Sequence, residues 1–159
     1  MKKFLKLLFT ITLIAGCSNP PPEAKSDSEE AHAALINFFE LLNNKRYAEA
    51  VPVYGGSYEL MQTWNPDMDP TDHASLWQKA CEQNGLQCLE VRTATLSGQE
   101  GSTFIFQVEF SNPDGTLFVR GPCCGASETE MPPQSQFEYS VTKSADGKFL
   151  VMDMPPYVP

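Results

Sequence analysis

The chain has 159 residues, with 11 basic and 20 acidic side chains and a formal charge of −9. A body this acidic does not hold nucleic acid through phosphates, because it has no cationic surplus to displace counterions, and anionic lipid surfaces repel it. The length fits one domain, with enough chain to bury a real core.

Lys2, Lys3 and Lys6 open the chain, and the apolar run LLFTITLIAG follows, Leu7 to Gly16. A charged start, about ten apolar residues and a small-residue end are the parts of a secretory signal peptide. The run is too short to span a membrane, which takes about 20 residues. Ile14-Ala15-Gly16-Cys17 resembles the lipobox of bacterial lipoproteins. That resemblance implies cleavage before Cys17, a diacylglyceryl thioether on its sulfur and an acyl chain on its new amine. Two chains anchor firmly where one binds only marginally. By the sorting rule of Gram-negative lipoproteins, serine at position 18 implies the outer membrane, with the domain in the periplasm. In a Gram-positive source the anchor would lie in the cell membrane. Residues 1–16 are thus the signal peptide, and 17–27 the lipidated cysteine and a flexible tether. The mature chain keeps eight basic and twenty acidic side chains, a formal −12. Pro20, Pro21 and Pro22 favour an extended polyproline tether. About nine residues at roughly 3.1 Å each reach ~28 Å.

Residues 28–159 read as a single domain. Ser26 with Glu29, or Asp27 with Glu30, has capping-box spacing, and a helix is expected from near Ser28. Ala31, Leu35, Phe38, Phe39 and Leu42 share its apolar face. KRYAEAVPVY is a second, shorter helix whose length Pro52 limits, with Tyr47, Ala50, Val51 and Tyr54 on its apolar side. Gly55-Gly56 breaks it. SYELMQTW is a third helix and NPDMDPTD a loop. Thr71 or Asp72 caps a fourth helix over residues 72–84, with Leu76, Trp77 and Ala80 inward. Asn84-Gly85 ends it in left-handed geometry.

The period then changes to alternation. CLEVRTATL, STFIFQVEF, TLFVR, SQFEYSVTK and KFLVMDM are five expected strands. Asn112-Pro113-Asp114-Gly115 and Ala145-Asp146-Gly147 are turns. In the second strand Phe104, Phe106, Val108 and Phe110 share a face. The expected class is α+β, with N-terminal helices packed on a curved antiparallel sheet of about five strands. ALINFFELLNNKRYAEAVPVY and FEYSVTKSADGKFLVMDMPPYVP resemble the opening helix pair and closing hairpin of small secreted lipoproteins in the nuclear-transport-factor-2-like superfamily. That resemblance implies a cone-shaped fold, often with a pocket between helices and sheet.

With Cys17 lipidated, Cys81, Cys88, Cys123 and Cys124 remain, an even number that suggests disulfides in an exported chain. A tight NPDG hairpin would set Phe104 opposite Cys123. A turn over Ser97 to Ser102 would set Cys88 opposite Ser111. Cys88 and Cys123 would then lie roughly 25 Å apart along the strands, too far for a bond that needs Cα atoms within about 7 Å. Cys81 and Cys88 flank one short turn and are the expected pair. Closing that loop stabilises by about 2–3 kcal/mol in the chain-entropy model. Cys123 and Cys124 are left to pair with each other, to pair with another chain, or to stay free. A zinc site wants two close-spaced cysteine pairs, and this spacing differs.

Asp67, Asp69, Asp72 and His73 crowd one loop. Calcium-loop spacing is interrupted there by prolines, so a solvated, helix-capping loop is expected. His32 is expected to be exposed. Phe39, Tyr54, Tyr58, Trp64 and Trp77 are the candidate pocket, weighed against the commoner case in which aromatics at helical spacing are core. Nothing pairs a nucleophile with a base, and no glycine loop cradles a phosphate. The long loop 125–134 is a further candidate, because loops on rigid sheets often carry function. The expectation is a non-enzymatic binding module for a small apolar ligand, a peptide or an envelope protein, with no catalytic residue, cofactor or metal. The alternative is an isomerase- or dehydratase-type enzyme using the cone pocket. Assembly through a sheet edge is a third reading.

Overall fold

The structure is a computed structural model and describes residues 25–159. The signal peptide, Cys17 and the tether as far as residue 24 lie outside the described residues. The chain runs through α1 (Asp27–Asn43), α2 (Tyr47–Ala50), a 3-10 turn (Val51–Val53), α3 (Glu59–Trp64) and α4 (His73–Glu82). Strands β1 (Glu90–Glu100), β2 (Thr103–Ser111), β3 (Phe137–Lys143) and β4 (Phe149–Val151) follow. The strands form an open antiparallel sheet in the order β1-β2-β3-β4. Helices gathered before an antiparallel sheet make this an α+β domain. No described helix is long and apolar enough to cross a membrane.

The opening helix starts where its capping box dictates. Ser26 Oγ accepts from the Glu29 amide at 3.3 Å, and the Glu29 carboxylate accepts from the Ser26 amide at 2.8 Å. These bonds hold the Glu29 carboxyl below its usual range, and its negative charge suits the helix N-terminus. An ion pair of 2.7 Å from Lys143 to Asp27 ties the start of α1 to the end of β3. Ala31, Leu35, Phe38, Phe39, Leu41 and Leu42 are buried along one side of α1, which packs across β1, β3 and β4. At its far end Pro52 turns the second helix into 3-10 geometry. There the Gly55 amide donates to the Val151 carbonyl at 2.8 Å, fastening this turn to β4. Gly56 is required at this crossing, since a Cβ there would collide with the Met152 carbonyl and the Tyr54 ring.

The sheet alternates as its sequence does. Phe104, Phe106, Val108 and Phe110 of β2 and Phe137, Tyr139 and Val141 of β3 are buried under α1. The β1–β2 hairpin closes through Gly101 and Ser102, pairing Glu100 with Thr103. The expected turn over Ser97 to Ser102 is therefore shorter, and Glu90 rather than Cys88 faces Ser111. Two irregularities, between Val91 and Thr93 and between Leu96 and Gly98, interrupt the register of β1. Bulges of this kind bend a strand and roughen an edge against further pairing.

The expected third strand, TLFVR, is not part of the sheet. β2 has two edges; β1 occupies one, and β3 occupies the other from Thr103↔Thr142 to Val108↔Phe137. Only the end of β2 is free, and there Ser111 bridges Leu117 and the Phe118 amide bonds the Phe110 carbonyl at 2.9 Å. The chain then leaves the ladder. Phe104 faces Val141 and Gln99, not Cys123. The sheet thus has four strands instead of about five.

Phe39 is the side chain that joins the layers. It is fully buried, with ring centroids 4.9 Å from Phe110 and 5.0 Å from Tyr139. Replacing it with alanine leaves a cavity that neither helix nor sheet can collapse into. Phe39→Ala is expected to lower unfolding free energy by about 3–5 kcal/mol, measured by urea denaturation followed by far-ultraviolet circular dichroism.

Candidate functional site

The aromatics expected to line a pocket instead fill the interior. Tyr54 stacks on Phe38 at 5.7 Å and meets Trp77 edge-on at 5.0 Å and Tyr58 at 5.2 Å. Trp77 Nε1 donates to Tyr58 Oη at 3.3 Å, and the Tyr54 hydroxyl donates to the Ser57 carbonyl at 3.1 Å. Phe39 faces the sheet. Trp64 lies apart from this group and stacks on Tyr157 at 5.1 Å. Rings at these distances leave no room for a ligand among Phe39, Tyr54, Tyr58 and Trp77, so the common core reading of such aromatics applies here. His73 stacks flat on Tyr58 at 3.8 Å, the outer lid of the cluster. His32 is half-buried rather than exposed, its ring 5.8 Å from Phe106.

The acidic loop is built from turns. Asp69 accepts from the Thr71 amide at 2.8 Å and the Thr71 hydroxyl at 2.7 Å. Asp72 caps α4 by accepting from the Ser75 amide at 3.1 Å. These hydrogen bonds hold both carboxyls below their ordinary range. Asp67 is exposed. Among the described residues, no group of three or more His, Cys, Asp and Glu side chains converges on one point.

Cys81 and Cys88 lie at disulfide distance, with Cα atoms 5.6 Å apart. They close the turn between α4 and β1. Gly85 stands at its apex with φ +88°, and a Cβ there would collide with the Val158 carbonyl. The close approach comes from the C-terminal segment, which lies along this turn. The Val158 amide donates to the Gly85 carbonyl at 3.0 Å, and the Gln87 amide donates to the Pro156 carbonyl at 2.8 Å. Tyr157 forms a bridge with Leu86. The tail is therefore clamped to the α4–β1 turn.

That clamp forms one wall of a cleft of about 540 Å³, lined by Arg120, Pro122, Cys123, Cys124, Met131 and Tyr157, with Val158 and Pro159 completing it. The volume falls within the range of small-ligand pockets, roughly 300–1,000 Å³. The opposite wall is the 121–133 loop. Arg120 and Gln134 close its base with paired backbone bonds of 2.8 and 2.9 Å. The Arg120 guanidinium hydrogen-bonds the Gln134 side chain and lies 5.6 Å over the Phe137 ring. Within the loop, the amide and hydroxyl of Ser127 both donate to the Glu130 carboxylate at 2.9 Å. Cys124 has φ +61° and Gly125 φ +88°, so two successive residues are left-handed. For a side-chain-bearing residue this costs about 1–2 kcal/mol. The sulfurs of Cys123 and Cys124 stand 2.8 Å apart and are not bonded.

Of the described residues expected to carry a site, this cysteine pair and Met131 of the 125–134 loop lie on the cleft. Its two walls are separated by more than twenty residues of chain, and no local pattern links them. The signals in the sequence were separate: a long loop, a vicinal cysteine pair and a proline-rich tail. No protein-family model matches the chain, and no curated protein matches it.

The buried tyrosines make a prediction about pH. Burial raises the phenols of Tyr54, Tyr58 and Tyr139, that of Tyr139 strongly. Burial, then the nearby Glu82 carboxylate, pushes Tyr47 up to about 12. A phenol raised on folding stabilises the native state in full below its unfolded value near pH 10. That contribution is lost as pH rises through the folded value. Thermal melts should be insensitive to these groups between pH 8 and about 9.5 and shift steadily lower above about pH 10. A melting temperature constant to pH 11.5 would contradict the assignment.

Proposed function

We propose that this protein is a lipid-anchored envelope lipoprotein whose domain acts without catalysis. It binds a small apolar ligand, or an apolar segment of a peptide or envelope protein, in the cleft between the 121–133 loop and residues 157–159. The carrying observation is that cleft, whose lining includes Pro122, Met131, Tyr157 and Val158. Apolar walls with a few placed polar groups are the usual makeup of ligand sites. A binding role is also supported by the positions of the acids and histidines. None of them is buried among the described residues, and Asp69, Asp72, Glu29 and Glu130 are each engaged in a cap or turn.

The charged start, short apolar run and Cys17 in its lipobox-like setting support an outer-membrane anchor with the domain in the periplasm. The first helix starts ten residues after Cys17, which keeps the domain near the membrane. We read the fold as a member of the nuclear-transport-factor-2-like cones. The opening helix pair and the bulged, antiparallel sheet behind it support that reading.

Two measurements test these proposals. Cells fed an alkyne fatty acid should label the wild-type protein, while Cys17→Ala should lose the label and pass to the soluble fraction. A labelled Cys17→Ala protein would overturn the anchor. For the cleft, an apolar fluorescent probe such as 1-aminoanthracene should bind with one-site saturation and alter Trp64 emission, because Trp64 stacks on Tyr157. Met131→Asp should weaken the probe by at least about tenfold, a loss of ~1.4 kcal/mol. Equal affinity in Met131→Asp and the wild type would remove the cleft as the site.

A further inference from the structure

We propose that Cys123, Cys124 and Met131 form a site for one soft, thiophilic metal ion of the monovalent-copper class, on the loop wall of the cleft. This goes beyond the apolar binding reading, since it uses the sulfurs of one wall and not the apolar surface of the other.

Three sulfur-bearing side chains line the same cleft. Adjacent residues in extended chain point to opposite faces, so a cysteine pair in a strand would present its sulfurs apart. Here the left-handed conformation of Cys124, followed by left-handed Gly125, turns both sulfurs to one side. An ion bound to two sulfurs at roughly 2.3 Å holds them at most about 4.6 Å apart. The two sulfurs stand 2.8 Å apart, closer than two sulfurs sharing one ion, so the pair must open by rotation of exposed Cys124 and half-buried Cys123 to take the ion between them. A non-glycine residue in this region is an observed strain, and strain of this kind clusters at functional sites.

Ligand chemistry selects the ion. Thiolate and thioether donors favour monovalent copper, whereas carboxylate and carbonyl oxygens suit calcium and magnesium. Structural zinc wants four nitrogen or sulfur ligands, and among the described residues no third His, Cys, Asp or Glu joins the pair. Met131 lines the same cleft and is the neutral thioether available to the ion there. On binding, the ion replaces the two thiol protons, which pass to solvent. Two metal–sulfur bonds form, no electron moves and the copper stays monovalent. The site then carries one net negative charge. Arg120 lines the same cleft, held there by Gln134 and Phe137, and its guanidinium offsets that charge.

The test uses the full chain in detergent, reduced with a phosphine under anaerobic conditions. Monovalent copper is titrated against the chromophoric chelator bicinchoninate. One equivalent should be withdrawn from the chelator, with a thiolate-to-copper charge-transfer band in the ultraviolet. Cys123→Ser and Cys124→Ser should each weaken binding by more than about 100-fold, the upper end of what even outer-shell partners contribute. Met131→Leu, which removes the thioether, should weaken copper by about tenfold. If copper binds and the probe does not, the apolar reading fails alone. Wild-type protein that withdraws no copper would overturn the proposal. So would undiminished binding by the Cys123→Ser/Cys124→Ser double variant, which would place the metal on Cys81 and Cys88.

Discussion

The contact between the aromatic face of α1 and the aromatic face of the sheet is the constraint from which the remaining architecture follows. Phe38 and Phe39 occupy successive positions on α1 and point to two different neighbourhoods. Phe39 meets Phe110 and Tyr139 of the sheet, while Phe38 meets Tyr54 and Trp77 beneath the other helices. One turn of helix thus joins the sheet to the helical layer. Each fully buried ring of this kind contributes about 1.5–3 kcal/mol through area removed from water, and edge-to-face geometry adds to it. The interior is filled by rings as a result, and open space is displaced to the surface.

The displacement explains where the cleft lies. The sheet accepts no strand from the segment after the NPDG turn, because β3 already holds the second edge of β2. Residues 119–136 therefore leave the sheet and return to it, with Arg120 and Gln134 fastening the base of the excursion. The C-terminal segment is fixed independently, by the turn that Cys81 and Cys88 close. Two segments, each anchored at a different place on the scaffold, are left facing one another across a gap. Loops held at both ends by a rigid sheet are well suited to present side chains to a ligand.

The same geometry changes the meaning of the cysteines. A tight NPDG hairpin would set Cys123 opposite Phe104 in a strand pair. The observed sheet places Cys123 and Cys124 outside any strand, and their sulfurs approach because Cys124 is left-handed. Cys81 and Cys88 behave as their short separation and the Asn84-Gly85 stop suggest. Their loop is local, so sequence distance nearly determines spatial distance. No such relation holds for Cys123 and Tyr157, which come to line one cleft only through the folding of everything between them.

Much of the local structure was legible. The capping box at Ser26, the apolar steps along α1, the Asp72 cap and the strict alternation of β2 each express a rule that acts within a few residues. The α+β class follows from their order. The number of strands was not legible, since TLFVR has the composition of a strand and is excluded only by competition for an edge. Nor was the fate of Tyr54, Tyr58 and Trp77. Periodicity places them inward, yet whether inward rings enclose a cavity or fill it depends on how three helices and a sheet pack. The sequence by itself determined which segments are helical or extended, and which sides they bury. Tertiary structure alone decided strand order, the filled interior and the cleft between residues 121–133 and 157–159. Those depend on contacts between parts of the chain that share no local pattern.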